Sequence, residues 1–356
     1  MSEAPFPAPL HLLLLGYGHV AQAFLPLLAS CGEWLASEYG IRPVIGGIGT
    51  RRQGYYIHPE GIDAALLARE SDPLSSFIEQ GTRFDTAGGF IAAGKAAGAE
   101  MLLELTTLNP RDGQPALMHI QSALSSGLNV VTANKGPVAF ALAELQALAR
   151  SHHVQFRYES TVMDGLPIFN LAQFSLPAVG IRAFRALLNT TSSLVLSMIE
   201  QGYSLKEGIR KAQELGVAEA DPWYDLDGWD AVMKTTILAN ALLGGQLTPQ
   251  MVEREGIRNL HPDEIRAAAR AGTPIRLVSQ ASQRNGLLAA EVRPRPIPQD
   301  DILHLGKGTT SVISLETEAM GTISLVEHQP LVLQTAYGVL SDLITVLRNF
   351  TLPRPG

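Results

Sequence analysis

The segment HLLLLGYGHVA, residues 11–21, decides the fold of the first part of the chain. An apolar run leads into a glycine pair and continues in a helix-like pattern, which is typical of a buried parallel strand followed by a helix whose N-terminus faces a phosphate. The spacing fits the dinucleotide-binding pattern G-x-G-x-x-A, in which Gly16 makes the turn, Gly18 lets a pyrophosphate approach, and Ala21 packs the helix on the sheet. Glycines two apart also occur in ordinary tight turns, so the flanking strand and helix carry the interpretation.

Composition excludes some classes of partner. The chain has 356 residues, with 27 basic and 34 acidic side chains and a net charge of -7, which argues against a nucleic-acid partner or an anionic membrane. Charged residues make up 17%, below the ~25% of an average soluble chain. This balance favours additional buried surface, such as a subunit interface. The single cysteine, Cys31, excludes internal disulfides and thiolate clusters.

The beginning of the chain does not resemble a signal peptide. The stretch MSEAPFPAP carries an acidic residue and three prolines and no basic cluster. No apolar run approaches the ~20 residues that span a bilayer. We therefore expect a soluble, cytoplasmic protein with no membrane partner.

The apolar pattern predicts an α/β protein of two domains. Residues 11–150 alternate short apolar strands with helical segments, which indicates a Rossmann-like, doubly wound parallel sheet in a dinucleotide-binding domain over residues 1–150. The pattern over 151–329 favours an α+β domain with a mixed sheet, and we expect the apolar helix over 330–356 to pack back on the first domain. The strand candidates of the first domain are HLLLL, RPVIGGIG, MLLEL and LNVVTA.

The second strand candidate ends in GIGTRRQG, where a nucleotide-binding fold contacts the adenosine ribose. A carboxylate at that position would bind the 2'-hydroxyl and repel a 2'-phosphate, whereas arginines neutralise the phosphate. Arg51 and Arg52 stand there and no acid does. We predict a preference for NADP, with NAD also possible; the alternative is that both arginines are solvated loop residues.

The segment NVVTANKGPVA places Lys135 just after a buried strand. Ligands of open α/β sheets lie at the carboxyl edge of the strands, so a lysine there is either an exposed charge or a group directed into the cleft. The polar, close-packed neighbours Thr132, Asn134 and Gly136 favour the cleft.

The densest chemical signal is GVAEADPWYDLDGWDAVMK, residues 216–234. Aromatic and apolar residues interleave with its acids, which a loop that merely faces water does not need. We therefore expect some of these carboxylates to be partly buried, against the alternative of a solvated acidic loop. The charged residues of this segment are Glu219, Asp221, Asp225, Asp227, Asp230 and Lys234.

Asp230 and Lys234 have the i, i+4 spacing that places two side chains on one face of a helix. Neighbouring carboxylates bind an ammonium group, and a lysine beside them can hold a proton at a reacting oxygen. The pattern points to a zwitterionic or amino-bearing ligand. It does not meet the calcium-loop pattern D-x-[DN]-x-[DN]-G, so no metal site is predicted in this segment.

With these motifs in place, most of the chain resembles the homoserine dehydrogenases. The segments GYGHVA, ELTTLNP, VVTANKGP, YESTVMDGLPI, LLNTTS and ELGVAEADPWYDLDGWDAVMK occur in the family's order. The lysine after TAN and the segment ending in Lys234 are the specific elements. The resemblance implies a reversible, NAD(P)-dependent interconversion of L-homoserine and L-aspartate 4-semialdehyde in threonine and methionine biosynthesis, by a homodimer.

The resemblance also implies roles for individual residues. Lys234 and Lys135 match the proton-handling pair, and Glu159 with the backbone carbonyls of Val162, Asp164 and Leu166 matches a monovalent-cation site. A carboxylate and three carbonyls are hard oxygen ligands, which suit sodium or potassium. The residues implied to bind substrate are Glu219, Asp225, Asp230, Asn189 and Thr190. The residues implied to bind the cofactor are Gly16, Gly18, His19, Val20, Arg51, Arg52, Thr106, Thr107, Asn134 and Lys135.

One segment departs from the family pattern. The family usually has Asn-Gly-Thr-Thr-Asn followed by an aromatic residue, whereas this chain has NTTSSL at 189–194, with Thr190 in place of glycine and Ser193 and Leu194 in place of the amide and the aromatic residue. Two alternatives stay open: a dehydrogenase of another amino-bearing alcohol or aldehyde, and a non-catalytic NADP-binding sensor. Retention of both lysines argues against the sensor. We expect a short form without the C-terminal regulatory domain, and so no threonine inhibition through it.

Overall fold

The computed structural model of the protein describes residues 7–351, with side chains up to Arg348. Most of the MSEAPFPAP stretch, residues 1–6, and the last five residues of the predicted C-terminal helix, 352–356, lie outside the described residues. None of the helices within 7–351 has the combination of length and apolar character that crossing a bilayer requires.

The strands and helices are numbered in chain order. The strands are β1 (Ala8–Leu15), β2 (Ile41–Thr50), β3 (Gly54–Asp63), β4 (Thr82–Phe84), β5 (Met101–Glu104), β6 (Asn129–Thr132), β7 (Phe156–Arg157), β8 (Ile181–Leu187), β9 (Glu253–Arg254), β10 (Ile275–Arg284), β11 (Leu287–Pro296), β12 (Ser311–Thr317) and β13 (Gly321–Glu327). The α-helices are α1 (His19–Ser30), α2 (Gly32–Tyr39), α3 (Ala64–Leu67), α4 (Pro73–Gln80), α5 (Ala87–Ala96), α6 (Ala116–Ser125), α7 (Lys135–Ser151), α8 (Ile168–Asn170), α9 (Thr190–Glu200), α10 (Leu205–Glu214), α11 (Trp223–Leu226), α12 (Trp229–Leu243), α13 (Pro262–Arg270) and α14 (Val332–Thr351). Short 3-10 helices span Glu159–Thr161, Pro249–Met251 and Ile302–Leu305, and a π-helical turn spans Leu171–Ser175.

The chain divides into two compact units. The described residues up to Pro167, together with those from Leu331 onward, form the first, and Ile168–Pro330 form the second. Residues 151–167, which the sequence analysis assigned to the second domain, lie in the first unit because β7 pairs with β6.

The first unit contains a seven-stranded sheet among the described residues, in the order β4-β3-β2-β1-β5-β6-β7. The strands β2, β1, β5, β6 and β7 pair in parallel. Their carboxyl ends therefore meet at one edge, where open α/β sheets bind ligands. The predicted α/β class with a Rossmann-like sheet is confirmed, and α14 packs against α1 in the core of this unit through residues such as Val339 and Leu343.

Sequence analysis did not identify β3 and β4. β3 pairs antiparallel with β2 through a tight hairpin, and β4 pairs antiparallel with β3. β3 contains Pro59 and Gly61 and is buried mainly at Ile57, so it lacks the apolar run of a central strand. Its pairing with β2, and not its own pattern, accounts for its position.

The second unit is an α+β structure. Its six-stranded sheet, counted among the described residues, has the order β13-β12-β8-β10-β11-β9, and all pairings are antiparallel except β11 with β9. Helices α9, α12 and α13 pack against β10 and share an apolar core with Leu277 and Val292. Of the residues that sequence analysis assigned to the substrate, Asn189 and Thr190 lie at the start of α9, and Asp230 lies on α12.

Candidate active site

The turn after β1 requires glycine at its first position. Gly16 has φ +95°, a conformation that favours glycine, and a Cβ there would overlap the backbone carbonyl of Leu105 after β5. The Gly16 N–H donates to the carbonyl of Gly49, 2.8 Å away, at the end of β2. The turn is therefore held against both neighbouring strands at the carboxyl edge.

Gly18 is glycine for a different reason. It is the N-cap of α1 with an ordinary φ of -88°, and a Cβ there would meet nothing within 4 Å. Neither backbone strain nor packing within the protein calls for glycine, whereas close approach of a ligand does. His19 and Val20 form the first positions of α1, where backbone N–H groups have no intrahelical acceptor. This end of α1 fits a pyrophosphate.

Arg51 and Arg52 form the exposed turn between β2 and β3. Leu15, the residue before the glycine turn, lies opposite Gly49 of β2. Arg51 follows Gly49 by two residues, so both arginines lie near the glycine turn. The turn, residues 50–54, contains no carboxylate. A cationic turn beside the pyrophosphate position suits a phosphorylated ribose.

A buried carboxylate organises the loop that follows β5, and sequence analysis missed it. Glu104 is fully buried, and it accepts hydrogen bonds from the hydroxyls of Thr106 and, at 3.3 Å, of Thr132. Nδ1 of the buried His119 on α6 lies 3.5 Å from a Glu104 oxygen. Because a charged residue is almost never fully buried without partners, a glutamate in the apolar run MLLEL was the signal for this network.

This network leaves Thr106 with a limited role toward a cofactor. Its hydroxyl donates to Glu104 and lies 3.4 Å from Nδ2 of Asn134, whose amide also donates to the Thr106 carbonyl at 3.1 Å. The Thr106 side chain is thus occupied within the protein, and its backbone and the exposed Thr107 are the groups of this loop that remain for a ligand.

Lys135 is the first residue of α7, directly after β6. Asn134 caps this helix, because its side-chain oxygen accepts the N–H of Gly136 at 3.0 Å. Gly136 lies against Gly113, where a Cβ would come within 2.8 Å of the Gly113 Cα. The loop around Lys135 is therefore tightly held at the carboxyl edge of the first sheet.

In the second unit, three of the predicted substrate residues come together. The Asn189 side-chain amide donates to Asp225 at 3.0 Å and to Asp230 at 3.1 Å. The hydroxyl of Thr191 donates to the other oxygen of Asp225 at 2.7 Å. Two carboxylates are thus held next to each other by one amide, and carboxylates are strong acceptors for an ammonium group.

Lys234 completes this cluster. Its Nζ lies 3.0 Å from Oδ2 of Asp230, as the i, i+4 spacing predicts, and donates to the Leu188 carbonyl at 2.6 Å. Asp230 is 6% exposed and Lys234 is largely buried. The ammonium group is therefore held in a defined direction by two acceptors.

The closeness of the two carboxylates changes their titration and that of a neighbour. Burial, and then the charge of Asp230, raises the pKa of Asp225 above its ordinary value, although hydrogen bonds from Thr191 and Asn189 act in the opposite direction. Burial, followed by the charges of Asp230 and Asp225, also raises the pKa of Tyr224. Tyr224 therefore stays a neutral phenol at any physiological pH.

The other predicted substrate residues lie outside this cluster. Glu219 has an exposed side chain on the segment after α10, and its carbonyl accepts a bond from Gln213 at 3.1 Å. Thr190 is the half-buried first residue of α9. Ser193 and Leu194, which depart from the family pattern, are buried, and Leu194 belongs to the apolar core of the unit.

The predicted cation loop lies in the first unit. Glu159 is buried, and its N–H donates to Asp342 of α14 at 2.7 Å. Met163 and Asp164 both have left-handed φ values, 51° and 52°, and the Asp164 carboxylate accepts the Thr335 hydroxyl at 2.8 Å. The structure thus fixes an unusual backbone course over the residues whose carbonyls are the predicted ligands.

Side chains alone do not form a metal centre. In the part of the chain that the structure describes, no three His, Cys, Asp or Glu side chains converge in a way that could hold a metal ion. A cation near Glu159 would depend on backbone carbonyls.

Comparison with known proteins gives consistent matches. A sequence profile described as "Homoserine dehydrogenase" matches residues 167–344, half of the chain. The chain is 36% identical over 346 residues to an NAD(+)-dependent homoserine dehydrogenase from Pseudomonas canavaninivorans, covering 96% of this chain and 97% of that protein. It is 31% identical over 342 residues to a homoserine dehydrogenase from Methanocaldococcus jannaschii, covering 95% and 98%.

A solved structure has the same architecture. A homoserine dehydrogenase from Thiobacillus denitrificans superposes with a TM-score of 0.81 at 26% identity, covering 96% of this chain and 74% of that one.

Proposed function

The chain belongs to the homoserine dehydrogenase family, and from this premise we propose which of its residues carry out the reaction. The predicted enzyme class is confirmed: an NAD(P)-dependent oxidoreductase of a CH–OH group, which interconverts L-homoserine and L-aspartate 4-semialdehyde in amino-acid biosynthesis. The prediction that it acts on a small molecule is confirmed as well. The alternative of a non-catalytic sensor is set aside.

Lys234 is the residue that we propose to transfer the proton. When bound, the nicotinamide supplies the acceptor or donor of a hydride. In aldehyde reduction the Lys234 ammonium donates a proton to the carbonyl oxygen, and in alcohol oxidation its neutral amine accepts the hydroxyl proton. The observation that carries this role is the placement of Nζ by Asp230 and the Leu188 carbonyl. The family resemblance assigns Lys135 to the same proton transfer.

Asp225 and Asp230, joined by Asn189, are proposed to recognise the substrate ammonium group. A cation between two carboxylates relieves the repulsion between them. Relief of this repulsion makes binding of the substrate ammonium group more favourable. Glu219 and Thr190 remain predicted contributors by resemblance. Because Thr190 adds a side chain where the family usually has glycine, other amino-bearing alcohols are compared with homoserine in the substrate test below.

The cofactor we propose is NADP, with NAD as a weaker substitute. Gly16, Gly18, His19 and Val20 would hold the pyrophosphate at the start of α1, and Arg51 with Arg52 would bind the 2'-phosphate. Thr107, Asn134, Lys135 and the backbone of Thr106 would line the carboxyl edge beyond them. The relative from P. canavaninivorans is named for NAD(+), so the preference rests on the two arginines.

A monovalent cation, sodium or potassium, is proposed at Glu159 with the carbonyls of Val162, Asp164 and Leu166. The support is a buried carboxylate beside a backbone that α14 holds in a left-handed course. Replacement of sodium and potassium by choline should lower the unfolding temperature of the wild type and leave that of E159Q unchanged. An equal response of both proteins would contradict the site.

We also propose a homodimer, working in the cytoplasm, in which the second unit's sheet meets its copy. The sheet face away from α9 and α12 has a cavity of about 630 Å³, and a row of polar side chains crosses it from Glu291 through Gln280 and Arg185 to Ser314. Both charge signs on one face suit a two-fold contact. S314R should be a monomer in light scattering and S314A a dimer; a monomeric wild type would contradict this interface.

Substrate identity is tested by a panel of amino alcohols with NADP+ and the purified protein. L-homoserine should give the highest kcat/KM. Compounds that lack the α-amino group or differ in chain length should give much lower values. A different amino alcohol with a higher kcat/KM would overturn homoserine as the substrate and support the alternative that Thr190 suggests.

A further inference from the structure

Residues 254–258, Arg-Glu-Gly-Ile-Arg, cross the outer side of the segment that carries Asp225. The Ile257 N–H donates to the Leu226 carbonyl at 2.8 Å. At Gly256 the two backbones touch, because a Cβ there would lie 2.5 Å from the Asp227 Cα. We call residues 254–258 the strap.

The two arginines of the strap contact residues 223–229 near both ends of that segment. The Arg258 guanidinium donates to both oxygens of Asp227, at 2.8 and 2.7 Å, and its Cζ lies 3.9 Å from the centre of the Trp223 ring. Arg254 donates to the Asp227 carbonyl and lies 4.3 Å above the Trp229 ring. Trp223 begins α11 and Trp229 begins α12, so the arginines contact both the helix that carries Asp225 and the helix that follows it.

Asp227 is thereby distinguished from the acids around it. Its carboxylate faces the strap and is saturated by a bidentate arginine, whereas Asp225 faces Asn189 and Thr191. The acidic segment therefore has two functions on two sides. Asp227 anchors it, and Asp225 faces the substrate cluster.

The cluster needs such an anchor. Asp225 and Asp230 repel each other, and α11, at four residues, has little stability of its own. Asp230 is fixed on the long helix α12, so repulsion acts mainly to move α11 away. A bidentate ion pair and two stacked guanidiniums oppose that movement from the outer side.

We propose that the strap is a positioning element for homoserine recognition, in which Arg258 and Arg254 hold Asp225 at the distance from Asp230 that the substrate ammonium requires. The inference rests on the proposed function of these two carboxylates. In this proposal the arginines act through Asp227, Trp223 and Trp229, and contact with the substrate is assigned to Asp225 and Asp230.

The test is the KM of each substrate in R258A, R258K and a control, R210A, which removes an exposed arginine from α10 of the same unit. Because the displaced Asp225 would bind the substrate ammonium less well, R258A should raise the KM for homoserine about tenfold or more, equivalent to ~1.4 kcal/mol of binding, while the KM for NADP+ stays within twofold. R258K should recover little, because lysine offers neither the bidentate fork nor the planar stack. R210A should match the wild type.

Hydrogen exchange of the free protein provides a readout without substrate. Amides of residues 223–229 should exchange faster in R258A than in R210A, whichever amino alcohol the enzyme oxidises. Unchanged exchange in R258A would contradict the positioning role of the strap. A lower yield of active enzyme in R258A, with the KM for homoserine unaltered, would contradict it as well. A wild type that does not oxidise homoserine would overturn the proposed substrate instead, and the exchange result would still decide the strap.

Discussion

The side-chain amide of Asn189 donates to Asp225 and Asp230 at the same time, at 3.0 and 3.1 Å, while its oxygen accepts the N–H of Ser192 at 2.8 Å. One residue therefore caps α9 and holds two acids together. The neutral amide uses both of its donors on the carboxylates, which partly offsets their repulsion. Because Asp225 and Asp230 are proposed to bind the substrate, Asn189 should contribute both to the stability of the protein and to substrate binding.

N189A should destabilise the free protein more than the loss of a helix cap alone. It removes the cap and leaves the buried Asp230 and the half-buried Asp225 without their shared donor, so we expect a loss on the order of 3 kcal/mol in the free energy of unfolding. The matched control is S204A, which removes only the cap of α10 and should cost about 1 kcal/mol. Urea unfolding measures both. Equal losses would show that Asn189 acts only as a cap.

The Asp225 carboxyl should make stability depend on pH. Its pKa is raised in the folded protein, so the folded state keeps a proton that the unfolded chain has already released above the ordinary pKa of ~3.9. The stabilisation is complete below that value and is lost as pH rises through the folded pKa. D225N carries no titrating group, so its stability relative to the wild type should increase as pH rises through this window.

Thermal or urea unfolding of the substrate-free protein at a series of pH values checks this sign. D300N, which removes an exposed carboxylate from the same unit, controls for the loss of a negative charge. A difference between D225N and wild type that shrinks or stays constant with rising pH would contradict the raised pKa.

K234A should lower kcat by about 10²- to 10⁴-fold, the usual contribution of a positioned proton-transfer group. Nucleotide affinity should stay near the wild-type value, because Lys234 belongs to the second unit, whereas the residues proposed to bind the nucleotide belong to the first. K234R can keep the ion pair but does not release its proton, so it should not restore turnover. Stopped-flow rates and fluorescence titration separate the two effects. A near-native kcat in K234A would remove the proposed role.

Replacing Arg51 and Arg52 together by alanine should weaken NADPH selectively. Loss of charge-assisted hydrogen bonds of about 1.5–3 kcal/mol corresponds to roughly 10- to 100-fold in affinity. NADH lacks the 2'-phosphate, so its Kd should hardly change. R69A, an exposed arginine elsewhere in the first unit, serves as the control. Equal losses for NADPH and NADH would show that the arginines do not distinguish the two cofactors.

Local signals in the sequence predicted the elements that hold the site. The β1–turn–α1 unit follows from one apolar run and two glycines, and the Lys234–Asp230 contact follows from spacing along one helix. In each case the residues that interact are only a few positions apart in the sequence, so the local sequence pattern is enough to predict their contact. The buried Glu104 was also accessible in principle, because a carboxylate in an apolar strand needs partners.

The remaining features depend on contacts that are distant in the chain. Asn189 meets Asp225 across 36 residues, and Arg258 meets Asp227 across 31. Nothing in the local pattern VEREGIRNL distinguishes the strap from a solvated loop. The same applies to β3, whose place is set by pairing with β2 rather than by its own apolar pattern.

We propose that this chain oxidises L-homoserine with NADP+ as the preferred acceptor. The most direct measurement is the initial rate of reduced-nucleotide formation by the purified protein with L-homoserine at alkaline pH, with sodium or potassium present, and with NADP+ and NAD+ compared side by side. We expect turnover with both nucleotides and a higher kcat/KM for NADP+ than for NAD+. Nucleotide binding with no turnover of homoserine, or a clear preference for NAD+, would contradict it.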